Sequence, residues 1–123
     1  MKIAKVISKP FQTALMKLGN QDLSPKSAKI ILDNIRTINK ATEEYHKNRI
    51  EYMKTVAEKD TLGKPKIDKD NNFIFPEDKI QEINKKVSDM ISQNINLSKI
   101  SLDDINDARL SAQEFSLLEE LFR

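Results

Sequence analysis

The chain has 123 residues, 38% apolar and 33% charged, with no Trp, no Cys, two Gly and four Pro. Its net charge of +2 is unevenly placed, with eight Lys/Arg against two Asp in residues 1–40 and two Arg against six Asp/Glu in residues 101–123. These numbers exclude disulfides, thiolate metal sites, cysteine nucleophiles and a glycine-rich phosphate loop, and they fit one domain of amphipathic helices with thin buried seams. Attraction between the basic front and the acidic tail within one fold is the expectation.

The opening MKIAKVISKPF has an apolar run too short and too interrupted by Lys for a signal peptide. No stretch approaches the ~18 apolar residues of a membrane span. The expectation is a soluble, intracellular protein with no membrane partner. Residues 1–8 alternate loosely and predict a short strand or extended arm. Pro10 opens a short helix with Phe11, Ala14, Leu15 and Leu18 on one side, stopped by Gly19-Asn20. Leu23 sits where a hydrophobic staple would pack, and Ser24-Pro25 supplies a cap and a preset first turn.

From there to Asp60 no Gly or Pro intervenes. Ala28, Ile31, Ile35, Ile38, Thr42, Tyr45, Arg49, Tyr52 and Val56 recur at steps of three and four, with Leu32, Ile50, Met53 and Ala57 widening the seam. A helix over residues 24–60 would be about 50 Å long, longer than a compact domain of this size is wide, so part of it should project. Gly63-Lys64-Pro65 ends it. Lys66-Ile67 and Phe73-Ile74-Phe75 then read as two short strands around an Asp/Asn turn. Pro76 starts another helix, with Ile80, Ile83, Val87, Met90, Ile91 and Ile95 as its seam. Residues 95–102 alternate and could pair with the N-terminal arm. Ser111 and Glu114 form a capping box ahead of a last helix carrying Phe115, Leu118, Leu121 and Phe122. No internal repeat is visible. The predicted fold is mainly α, a single domain: a long antiparallel helical hairpin with a small β-hairpin at its tip, flanked by short terminal helices.

Few constellations could carry chemistry. Asp68-x-Asp70-x-Asn72 has the spacing of the first EF-hand ligands, but Phe73 replaces the required Gly and Lys79 the closing Glu, so a polar turn explains it better. His46 is the only histidine and reads as a structural residue at the seam edge, since it has no soft ligand beside it. Adjacent carboxylates such as Glu43-Glu44 point apart on a helix and form no acid/base pair. No catalytic residue, metal or cofactor is implied. Lys26, Lys29, Arg36 and Lys40 share one helix face, the best nucleic-acid candidate in the chain, although Asp33 interrupts it.

The run Leu23-Ser24-Pro25-Lys26, then Ala57-Glu58-Lys59-Asp60-x-x-Gly63-Lys64-Pro65, then Asp68-x-Asp70-x-Asn72, is similar to a family of small tailed-phage and prophage proteins. The closing Ile100-x-Leu102-Asp103-Asp104-Ile105 and Leu110-Ser111-x-x-Glu114 fit the same family. The resemblance implies a phage-encoded protein acting in the host cytoplasm, or in the virion, and carries over no catalytic residue. The expected function is non-enzymatic: binding a host or phage protein, to inhibit or redirect a defence protein. Phe73 and Phe75 at the tip and Phe115 and Phe122 at the tail are the expected contacts. A homo-oligomeric assembly component is the first alternative, and nucleic-acid binding through the basic face is the second.

Overall fold

The computed structural model describes all of residues 1–123. The chain is mainly α, with helices α1 (Ile3–Val6), α2 (Lys9–Gly19), α3 (Pro25–Val56), α4 (Ile80–Ile91) and α5 (Ala112–Leu118), short 3-10 turns and no sheet. It divides into two compact units, Met1–Thr42 with Gln93–Arg123, and Glu43–Ser92. Helix α3 contributes its residues 25–42 to the first unit and 43–56 to the second.

The first unit is built on α2. Pro10 stands in its first turn, and Phe11, Ala14, Leu15 and Leu18, one helical stripe, are all buried. The apolar side of α5 covers that stripe, and α2 with α5 is the most extensive helix pair in the chain. Ser111 starts α5 with the expected reciprocal cap: its Oγ accepts from Glu114 N at 3.1 Å, and Glu114 Oε1 accepts from Ser111 N at 2.8 Å. Val6, Ile31, Ile38, Ile100, Ile105, Leu118, Leu121 and Phe122 complete one continuous core.

Three sequence expectations are corrected in this unit. The N-terminal arm is not a strand: Ile3 and Val6, three apart, are buried together, which a helical turn allows and a strand's alternation does not. The arm pairs only at its first residues, Met1 exchanging backbone bonds with Ile95 and Ile3 N donating to Gln93 O around the Lys2–Asn94 bridge, and residues 96–102 form no strand with it. Ile100 instead pairs in parallel with Phe122, donating to Leu121 O and accepting from Arg123 N at 2.7 and 3.0 Å. The third correction concerns α3, whose buried stripe is Ser27, Ile31, Asn34 and Ile38 rather than the apolar seam Ala28/Ile31/Ile35/Ile38. Two polar residues are buried because they bond backbone that has no ladder partner. Asn34 donates to Ser98 O and accepts from Ser98 N, both at 2.9 Å, while Ser27 Oγ reaches Asp104 O at 3.4 Å. Gln21 grips Arg109 in the same two-handed way, donating to its O at 2.8 Å and accepting from its N at 2.6 Å. These amides hold the irregular segment 93–111 where strand pairing would otherwise be needed.

The second unit has a different economy. Of its apolar side chains only Ala57 and Ile83 are buried. Between its helices the chain makes the same turn twice, a repeat that the sequence hides. Asp60 N donates to Lys64 O and Asp68 N to Asn72 O, each at 2.8 Å, and Gly63 N and Asn71 N return to Asp60 O and Asp68 O. Each aspartate Oδ1 also accepts two backbone N–H groups, from Leu62 and Lys64 in one turn and from Asp70 and Asn72 in the other. Gly63 (φ 77°) and Asn71 (φ 63°) occupy the matching left-handed position, and antiparallel bridges Lys59–Pro65 and Ile67–Phe73 close the two turns. The periods join in a ring: Glu58 N donates to Ile74 O, Ile74 N to Lys66 O, and Lys66 N to Glu58 O, at 2.8, 3.0 and 2.7 Å. The repeat was invisible because only its Asp is common to both copies. Gly and Asn both satisfy the left-handed position, and most of the other positions face solvent.

Candidate docking groove

Rotating the buried stripe of α3 onto Ser27 and Asn34 leaves the apolar residues beside it without cover. Ala28 and Leu32 are exposed and Ile35 is half-buried. Across from them, Gln12 and Met16 stand one turn apart on the flank of α2, beside its buried stripe. The two flanks enclose a groove of about 390 Å³, with Leu15, Ile31, Ile35 and Ile38 in its lining. Gly19 belongs to the same lining: a Cβ there would meet Ile31 Cγ2 at 3.4 Å, so the missing side chain leaves the isoleucines open. Met16 is 62% exposed and Leu32 45% exposed. Two large exposed apolar side chains on opposite walls of one apolar groove make a site rather than scattered surface.

The charges around this unit separate into two groups. The acidic tail neutralises one set of cations, as the sequence suggested. Lys5 Nζ is 3.2 Å from Glu120, Lys17 Nζ 2.7 Å from Glu114, and Lys26 Nζ 3.7 Å from Asp104. The Lys17 ammonium first, then the Ser111 N–H, hold the Glu114 carboxyl down at about 2. On α3, Asp33 lies 2.8 Å from Lys29 and 3.9 Å from Arg36, and the hydrogen bond from Lys29 is the main reason its carboxyl is held below the usual range. Lys9 and Lys40 make no ion pair.

Of the residues expected at docking sites, Phe122 is 7% exposed and belongs to the core. Phe115 stacks on it at 5.4 Å between ring centroids and keeps an outer face in a depression of about 250 Å³ lined also by Leu102, Ala108 and Leu110. Phe73 and Phe75 lie 6.3 Å apart and are half-buried, while Leu62 and Ile67 of the repeated turns are 78% and 55% exposed. Three of the four cations of the basic face, Lys26, Lys29 and Arg36, have carboxylate partners, and only Lys40 does not. His46 is exposed beside the Tyr45 ring rather than set in the seam. The α2/α3 groove was missed in the sequence. Its signal was a surplus, since α3 carries more apolar residues between 28 and 38 than one buried stripe can use.

No group of three or more His, Cys, Asp or Glu side chains converges where it could hold a metal ion, and no helix is long and apolar enough to cross a membrane. No family model, no curated protein and no solved structure matches the chain.

Proposed function

We propose that the protein is a non-enzymatic interaction module whose α2/α3 groove receives a helix of a protein partner. The observation that carries this reading is the pair Met16 and Leu32, exposed on facing walls of an apolar groove. Both walls are helices, whose interior backbone groups are already bonded, so they offer no edge to an added strand. An occupant must satisfy its own backbone, which a helix does. Titrating the isotope-labelled protein with an amphipathic, leucine-bearing peptide should shift amide signals of residues 12–20 and 28–39 first. Leu32→Glu should abolish those shifts while leaving the circular dichroism unchanged. Shifts spread evenly over the chain would remove the groove reading.

The wider reading, a phage-encoded binder that inhibits or redirects a host defence protein, rests on the sequence resemblance alone. In the second unit we read α4 as lying along the later half of α3, supported by Lys86 Nζ standing 5.9 Å from the centre of the Tyr52 ring. Exposed Leu62 and Ile67 favour a second contact surface on the repeated turns, in place of the half-buried Phe73 and Phe75. Nucleic-acid binding through Lys26, Lys29, Arg36 and Lys40 is the weaker alternative, because two carboxylates, Asp104 and Asp33, offset half of the charge of the four.

A further inference from the structure

We infer that the groove selects an acidic amphipathic helix: apolar anchors on one face, with Asp or Glu along both borders of that face. The inference rests on the groove reading above and adds the chemistry of the partner. On α3 the spacing Lys29, Leu32, Arg36, Lys40 places the exposed groove leucine within a row of cations, because residues three and four apart share a helix face. On α2 the spacing Lys9, Gln12, Met16 puts a single cation on the row of the opposite wall. Four cations therefore lie on the helix rows beside the groove, outside its lining, and the one carboxylate of α2 and of residues 25–42 of α3 is Asp33, paired with Lys29 and Arg36. The six carboxylates of residues 101–123 do not cancel this rim, for those that form ion pairs do so with Lys5, Lys17 and Lys26, outside both rows. An apolar floor with a net positive rim is the complement of a helix whose greasy stripe is edged with negative charge.

The groove also sets the length of its occupant. Its α3 wall runs from Ala28 to Asn39, which at 1.5 Å per residue is about 16 Å, or roughly three helical turns. Its volume lies near the lower end of the ~300–1,000 Å³ usual for ligand sites, enough for a few anchors rather than a large helix face. Asn20 and Asn39, both exposed, line it as well and are placed to bond polar groups flanking those anchors.

The test uses two labelled peptides with identical leucine anchors, one carrying Glu and the other Lys along the borders, titrated into the whole protein by fluorescence anisotropy. The acidic peptide should bind about tenfold or more tightly at low salt, and the gap should close as ionic strength rises from ~0.05 to ~0.5 M. Lys9→Glu with Lys40→Glu should reverse the preference, and Leu32→Glu should abolish binding of both peptides while the fold persists. Equal binding of the two peptides, lost in Leu32→Glu, would keep the groove and overturn its charge preference. Binding of neither removes the groove reading and this inference together. Concentration-dependent self-association dispersed by Leu32→Glu would make a second copy the occupant and overturn the inference. A single-stranded oligonucleotide that binds despite Leu32→Glu but not after Lys9→Glu with Lys40→Glu would assign the cations to nucleic acid, with the same consequence.

Discussion

The two units of this chain share one helix and are stabilised in opposite ways. In the first, twelve buried apolar side chains form one core, and buried Ser27 and Asn34 spend their polar atoms on tying loop backbone to α3. In the second, Ala57 and Ile83 are the only buried apolar residues, while Ile50, Leu62, Ile67, Ile74 and Ile80 are exposed. What organises the second unit is mainly hydrogen bonding of the backbone to itself and to two aspartates, close to solvent, where each bond contributes about 1 kcal/mol or less. Amphipathic patterning is therefore not the same as burial. One stripe of residues 25–42 of α3 is buried because α2 and the segment 93–123 complete a core there. Residues 43–56 carry the same periodicity, yet none of them is buried.

The comparison predicts unequal stability, and the largest effect should come from the core. Phe11→Ala should cost about 3–5 kcal/mol by urea denaturation, since the ring is fully enclosed. In the unaltered protein the amides of residues 45–56 and 80–92 should exchange with solvent about tenfold or more faster than those of α2, by partial opening. Equal protection across both units would erase the distinction.

Next in size is the amide clamp. Asn34→Ala strips Ser98 of two hydrogen bonds, and a loss of about 1–3 kcal/mol is expected. A change within a few tenths would show that water replaces the clamp without penalty. Smaller again is the repeated turn. Gly63→Ala should cost about 1 kcal/mol because φ is 77°, with the loss confined to exchange in residues 43–92. If protection in α2 fell by the same amount, the two units would unfold as one.

The smallest effect is electrostatic. The Glu114 carboxyl titrates at about 2 in the folded chain and at 4.5 ordinarily, so its contribution is complete above pH 4.5 and is lost as pH falls toward 2. Lys17→Met should raise that carboxyl's midpoint, followed by carbon-detected titration, and shallow the acid limb of the melting curve. An unchanged midpoint would assign the shift to the Ser111 N–H instead.

Local signals survived in the structure where one residue type had one local answer. Ser24-Pro25 opens α3, the Ser111/Glu114 box opens α5, and the run from Ser24 toward Gly63 is one long helix that stops at Val56, short of the expected Asp60. The attraction of the acidic tail for the basic front was also legible, and it appears as Lys5–Glu120, Lys17–Glu114 and Lys26–Asp104. Less was legible of the site. Phe115 and Phe122 were grouped by apolarity, yet Phe122 is drawn into the core by pairing with Ile100, and the groove residues Met16 and Leu32 looked like ordinary helix flanks.

By itself the sequence determined where α2, α3 and α5 start and that the interior would be thin, because caps, prolines and apolar period act over a few residues. Which side of α3 goes inward was decided only in three dimensions. Asn34 and Ser27 outcompete Ala28 and Ile35 for the buried stripe because segment 93–105 brings them backbone groups to bond. That choice turned the displaced apolar residues into the wall of a groove.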